Sequence, residues 1–196
     1  EHSLSPKLHN YWIKENNINA IYEKKQTNES DIEGLISEVK NEKIHGINVT
    51  VPFKKFVIPF LDQLTPIANE AQSVNTIYKE KNKVIGHNTD VDGFMLALKH
   101  INYEVKNKKV FILGAGGVAP SIILALKKMQ VGKIILSNRT KEKAEELIKI
   151  NKNLEIVDWG KIPDFNIYTV CEVLRNRKRQ KELGFVEPRK HEFGKV

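Results

Sequence analysis

Two adjacent lysines, Lys54 and Lys55, follow an apolar, β-branched run and Pro52 in the stretch INVTVPFKKF. A lysine where a buried strand runs out is either a solvated exit or a cation held over a cleft. In a cleft it can hydrogen-bond a reacting oxygen and stabilise developing negative charge. Three clusters add groups suited to one kind of ligand. HSLSP offers the hydroxyls of Ser3 and Ser5 just before a helix, suited to an anionic group. The lysine stretch itself adds Asn48 and Thr50, and SVNT and GHNTD put Asn75, Asn88, Thr89 and Asp90 at strand ends. Each cluster alone reads as a turn or cap. Together, hydroxyls, amides, a lysine and an aspartate suit a small polyhydroxylated acid.

A second constellation lies further on, in VFILGAGGVAPS. Gly114, Gly116 and Gly117 fall at a strand-to-helix turn, where backbone N–H groups can approach a pyrophosphate at the helix N-terminus. The expected cofactor cradle is Gly114, Ala115, Gly116, Gly117, Val118 and Ala119, with Ala119 as the small residue that packs helix against strand. At the end of the next strand, SNRTKEK has no carboxylate to accept from the ribose 2′-hydroxyl of NAD. Arg139 can pair with a 2′-phosphate and Lys143, one helical turn on, adds a second charge. Asn138 and Thr140 can hydrogen-bond ribose and phosphate, so NADP is expected rather than NAD. The competing reading of the same residues is a helix start capped by Thr140.

These groups need elements to hold them. Pro6–Asn17 carries Leu8, Tyr11 and Trp12 at helical spacing, with Ser5 as N-cap and Pro6 in the first turn. AIYEKK reads as a short strand. SDIEGLISEVKNE reads as a helix capped by Ser30, with Ile32, Leu35, Ile36 and Val39 as its apolar face. GINVTV is a strand, FKKFVIPFLD a short helix or turn, and SVNTIYKEKNKVIGHNT a hairpin turning at Lys81-Asn82. DVDGFMLALKHIN returns to helical period. From Lys108 strand and helix alternate strictly: KKVFIL, the glycine-opened helix, KIILSN, RTKEKAEELIKIN, LEIVDW and a possible fourth strand in DFNIYTV. That βαβαβ run predicts a parallel doubly wound sheet. The whole reads as two α/β domains with a boundary near Asp90 to Lys106.

Composition narrows the class. The 196 residues are 40% hydrophobic and 29% charged, as in an ordinary globular chain able to bury a core. No apolar run approaches the roughly 18 residues that span a bilayer, and no membrane partner is expected. Cys171 is the single cysteine, which excludes an internal disulfide and a multi-cysteine metal site and suits a reducing cytoplasm. The net charge of +8 invites a nucleic-acid reading. Much of the excess lies in RNRKRQKELGFVEPRKHEFGKV, and elsewhere lysines alternate with glutamates on solvated helix faces, so no nucleic-acid partner is expected. His45 and His87, beside the motifs, read as structural. No sequence stripe marks an oligomer interface.

Taken in order, the motifs closely resemble the shikimate dehydrogenase family, NADP-dependent enzymes of aromatic amino-acid (chorismate) biosynthesis. The family's S-x-S matches Ser3-Leu4-Ser5, its N-V-T-x-P-x-K matches Asn48 to Lys54, and its V-N-T matches Val74-Asn75-Thr76. Its N-T-D matches Asn88-Thr89-Asp90, its G-A-G-G matches Gly114 to Gly117, and its N-R-T matches Asn138-Arg139-Thr140. The resemblance implies an N-terminal α/β substrate-binding and catalytic domain over residues 1–95. A partial NADP-binding Rossmann domain over 96–170 and an atypical basic tail over 171–196 would follow. It implies reversible reduction of 3-dehydroshikimate to shikimate, an oxidoreductase reaction at a secondary alcohol. Lys54 and Asp90 would be the catalytic pair, since a proton must leave the alcohol as hydride departs. Ser3 and Ser5 would hold the substrate carboxylate, and Thr50, Asn75 and Asp90 the ring hydroxyls. Lys55 would be the solvated neighbour. Two alternatives stand beside this: a quinate/shikimate dehydrogenase, or a non-catalytic NADP-binding remnant that binds nucleotide without turnover.

Two departures from the family pattern set further expectations. Family members carry a strand and a glycine-proline turn ahead of H-S-L-S-P, whereas this sequence opens at Glu1. After Phe165-Asn166 the family continues with N-A-T-S, further strands, a G-x-x-M and a Q-A segment. Here a polar, basic run follows instead. It is expected to be non-native to the family, to leave the Rossmann sheet half built, and to make the chain a poor catalyst.

Overall fold

The hairpin read from SVNTIYKEKNKVIGHNT is the centre of the first of two sheets in the computed structural model, which describes residues 3–151 and 154–171. Strands β3 (Thr76–Glu80) and β4 (Lys83–His87) pair antiparallel around Lys81, which takes a positive φ of 55°. Strand β1 (Gly46–Asn48) lies antiparallel on β3, and β2 (Gln63–Leu64) lies parallel on β4. Helix α2 (Ile32–Lys40) buries the expected face of Ile32, Leu35, Ile36 and Val39. Ile32, Ile36 and Val39 join Val74, Ile77 and Val84 of the sheet region in one apolar cluster.

Several local expectations change for reasons of partnership. AIYEKK forms no strand, and no neighbouring strand among the described residues lies beside it. The Tyr22 backbone N–H and C=O are met instead by the side-chain amide of Asn10, both at 2.8 Å. GINVTV is strand only to Asn48, because its partner β3 begins at Thr76 and the last bond runs from the Val49 N–H to the Asn75 carbonyl. Ser30 is not the cap of its helix. Asn28 opens a 3-10 turn over Glu29–Asp31 in a reciprocal box with Asp31, and the turn runs into α2. Ser5 is the first residue of α1 (Ser5–Glu15), and Leu4 takes the cap position. Strand β2 and helix α3 (Pro66–Ala71) add to the expected elements: Thr65-Pro66 is a helix-start signal, and the Thr65 hydroxyl accepts from the Ala68 N–H.

The second sheet is wholly parallel. Its order is β7 (Leu154–Ile156), β6 (Lys133–Ser137), β5 (Lys109–Leu113), β8 (Ile167–Val170). Val110 and Ile112 of β5 pack in the cluster of Ile123 and Leu126 from α5 (Ala119–Lys128) and Leu147 from α6 (Lys141–Ile150). Phe111 and Leu113 face the other way, onto Val157, Trp159 and Phe165. Burial on both faces explains why these strands are continuous apolar runs rather than alternating ones. Asn166 fastens β8 to β5 by accepting from the Lys109 N–H and donating its own backbone N–H to the Lys109 carbonyl. The same core continues through Cys171, whose amide donates to Leu113 and whose thiol burial pushes up to about 12. The basic run beyond it, with the reading placed on it, lies outside the described residues.

The two sheets meet through helices. Ala71 of α3, Val91 of α4 (Asp90–His100) and Leu124 and Ala125 of α5 form a buried seam, joined by Ile67, Phe94 and Met95. Lys128 and Glu70 close its edge at 2.7 Å. Small residues at this seam let the helices approach closely, which sets the distance between whatever the two sheets carry.

Candidate active site

Lys54 stands in the turn that follows β1. Phe53, Phe56 and Val57 pack into the first core and anchor that turn, while the Lys54 carbonyl accepts from the Val74 N–H at 2.8 Å. Its side chain is therefore aimed by the fold rather than left to solvent. Asp90 is the first residue of α4, where a carboxylate is favoured by the helix dipole. Lys54 Nζ meets Asp90 Oδ2 at 2.6 Å, with the two side chains 13% and 23% exposed. A short, half-sheltered, charge-assisted bond of this kind fixes both groups in direction.

Asn75 extends the network. Its Nδ2 donates to the Thr89 hydroxyl at 2.8 Å, and its Oδ1 accepts from the Thr89 N–H at 3.0 Å and from the Thr76 hydroxyl at 3.1 Å. Asn48 reaches the same Thr76 hydroxyl at 3.4 Å. Asn88 is fully buried, donating to the Ser73 carbonyl and the Ser121 hydroxyl and accepting from the Val91 N–H. It is thus a strut between the first domain and α5. Thr50 is exposed at the head of the lysine turn. His87 bonds Thr65 across 3.0 Å, in line with a structural role.

Ser3 and Ser5 form a separate group at the start of α1. The Ser3 hydroxyl accepts from the Ser5 N–H at 3.3 Å, and the Ser5 hydroxyl bonds that of Tyr22, whose titration burial raises. No hydrogen bond among the described residues joins either serine to Lys54, Asn75 or Asp90.

The glycine loop lies against the lysine turn. Gly114 has a φ of +103°, a conformation that favours glycine, and its N–H donates to the Ser137 carbonyl. A Cβ on Gly117 would sit 3.0 Å from Val51 Cγ2 and 4.0 Å from Lys54 Cδ, so a larger residue there would require Val51 to give by a few tenths of an ångström. Val118 takes the cap position of α5, the Gly116 carbonyl accepts from the Ala119 N–H, and Ala119 is fully buried as the packing residue. Asn138 braces the loop: its Oδ1 accepts from the Ala115 N–H at 2.9 Å and its Nδ2 donates to the Thr140 carbonyl at 2.6 Å. These two bonds leave one amide hydrogen of Asn138 for a ligand. Arg139 and Thr140 are exposed at the end of β6, and the Thr140 side chain makes no capping bond despite its position. The reading of Thr140 as a helix cap therefore loses its hydrogen bond.

Between the two segments lies a cleft of about 310 Å³, lined among others by Val51, Pro52, Lys55, Gly116, Gly117 and Lys143. Lys55 was expected to be simply solvated. It is exposed, yet it lines this cleft, and periodicity alone could not have shown that.

The fold and site define a class: an α/β domain carrying a lysine–aspartate pair, set against a doubly wound nucleotide-type domain by a glycine loop. Residues 1–77 match the family model described as shikimate dehydrogenase substrate binding domain, and residues 95–165 match shikimate / quinate 5-dehydrogenase. A shikimate dehydrogenase (NADP(+)) of Pelagibacter ubique is 60% identical over 167 residues, covering 85% of this chain and 63% of that protein. One of Clostridium botulinum (strain Loch Maree) is 34% identical over 97% of this chain and 75% of its own length. The crystal structure of shikimate dehydrogenase from Aquifex aeolicus superposes with a TM-score of 0.79 at 38% identity, over 88% of this chain and 65% of that one. The chain belongs to the shikimate dehydrogenase family. It spans a little under two thirds of the length of the Pelagibacter and Aquifex relatives.

Proposed function

We propose that the protein interconverts shikimate and 3-dehydroshikimate with NADP(H). The observation that carries the reading is the 2.6 Å Lys54–Asp90 pair, held where the lysine turn touches the glycine loop. Gly114 to Gly117, with the brace from Asn138, fit a dinucleotide diphosphate, and Arg139 and Lys143 fit a 2′-phosphate. When bound, NADP(H) supplies the hydride acceptor or donor.

The chain's own residues do the rest. Lys54 Nζ hydrogen-bonds the reacting oxygen, stabilises negative charge there, and gives or takes the proton that hydride transfer requires. Asp90 Oδ2 holds that ammonium in direction and accepts from a neighbouring ring hydroxyl. Asn75, locked by Thr89, presents its remaining amide hydrogen to the ring, and Thr50 offers a hydroxyl. Ser3 and Ser5 hold the carboxylate. The reading goes with a cytoplasmic location, where NADPH is made and thiols stay reduced.

The test is to supply shikimate or quinate with NADP+ and follow reduced nicotinamide by absorbance. Slow shikimate-dependent reduction is expected from the chain, with quinate a poorer substrate still. Absence of both shikimate-dependent reduction and shikimate binding by calorimetry would remove the reading. Cofactor choice has its own test. The double change Arg139→Ala, Lys143→Ala is expected to weaken NADP(H) by about 10- to 100-fold, the loss of one or two charge-assisted contacts, and to weaken NAD(H) far less. Equal losses for both dinucleotides would contradict the 2′-phosphate assignment.

A further inference from the structure

Lys55 follows the lysine of the ion pair, and the chemistry proposed above does not use it. Its side chain is exposed but lines the cleft between the domains, with the backbone of Gly116 and Gly117 across from it. No ion pair or hydrogen bond among the described residues engages its ammonium. Lys143, from the second domain, lines the same cleft. Glu146 lines it too and makes no ion pair with either lysine. Two cations from separate domains that converge on one glycine-floored cavity raise its potential for an anion. The contact of Val51 with Gly117 puts the lysine turn at van der Waals distance from the loop, so the Lys55 stem starts beside the phosphate cradle.

We infer that Lys55 is a dinucleotide-binding residue contributed by the first domain, its ammonium pairing with the diphosphate that the glycine loop holds. This rests on the dinucleotide reading above. The diphosphate is favoured because Gly116 and Gly117 of the glycine loop line the cleft with Lys55 and Arg139 does not; Lys143 lines it as well, so the paired dinucleotide titrations separate the two phosphates. Adjacent lysines then divide the work of one turn. Lys54 is turned to Asp90 and the substrate, and Lys55 to the cofactor, so the cofactor is gripped from both domains.

Titration of nicotinamide fluorescence with NADPH and, separately, NADH tests this on the full chain and on Lys55→Ala, with thermal melts in the absence of ligand alongside. Lys55→Ala is expected to weaken both dinucleotides by the same factor, about 5- to 20-fold for one exposed charge-assisted contact. Lys55→Arg should recover most of that loss, and the ligand-free melting temperature should not move. Unchanged affinity for both would overturn the inference, and so would a loss confined to NADPH, which would place the charge at the 2′-phosphate. If the unsubstituted chain binds neither dinucleotide, the NADP reading itself falls, and this inference with it.

Discussion

Lys54→Ala is expected to lower the rate of shikimate oxidation by about 10²- to 10⁴-fold, the usual range for removing a positioned acid–base group. The argument is geometric. Nζ is 2.6 Å from Asp90 Oδ2 and only 13% of its side chain is exposed, so the ammonium is held in one direction and sheltered from bulk solvent. The loss should fall on kcat more than on KM, because the interaction grows as negative charge develops on the oxygen. Lys54→Arg separates two roles. A guanidinium can still bond Asp90 and offset charge, but it does not give up a proton at neutral pH. Arginine should therefore restore shikimate binding without restoring most of the rate. The fold should survive either change with a loss of about 1 kcal/mol, since Asp90 keeps its favourable place at the start of α4. Steady-state kinetics of the three proteins, with thermal melts as control, decide the matter. A rate for the alanine variant within a few-fold of the parent would exclude Lys54 from the chemistry.

Asn88→Ala should be the most damaging of these changes to stability, by about 3 kcal/mol in urea denaturation. Asn88 is fully buried and satisfies three groups: the Ser73 carbonyl at 2.8 Å, the Ser121 hydroxyl at 2.9 Å and the Val91 N–H at 3.2 Å. Each buried group left unpaired costs about 1–3 kcal/mol, and the three costs do not simply add. The neighbourhood has little to spare, because Ser73 Oγ is itself buried without a partner among the described residues. Asn88→Asp, nearly the same shape, can still accept from Val91 but cannot donate to Ser73, and it brings a charge into a buried site. It should be as harmful as alanine or more so, which would separate hydrogen bonding from lost volume. Activity should fall as well, since Asn88 ties the segment leading to Asp90 to the helix that follows the glycine loop. A stability change below about 0.5 kcal/mol would show that this strut carries little.

Much of the fold was legible because the signals are local. Val110 to Leu113 and Ile134 to Leu136 are continuous apolar runs, buried on one face by helices and on the other by Val157, Trp159 and Phe165. The hairpin was legible from two β-rich runs and one turn. The failures share one cause. AIYEKK has strand-like residues and no strand beside it, and GINVTV stops where its neighbour stops. Strand formation needs a partner, and partnership is not a property of the segment. Short β2 and α3 carry little periodic signal because their burial comes from packing on β4 and α5.

The site divides along the same line. By itself, the sequence determined the candidates for chemistry: residue types and the family resemblance singled out Lys54, Asp90, Asn75 and the glycine loop, because residue type and local backbone needs are written into neighbouring positions. Only the tertiary structure decided what those residues are paired with. Asn138 braces the loop, Asn88 joins two domains, and Lys55 faces a cleft whose other wall is far along the chain. Those assignments depend on distances set by the α3–α4–α5 seam, and a long-range distance arises from packing, not from any single stretch of residues.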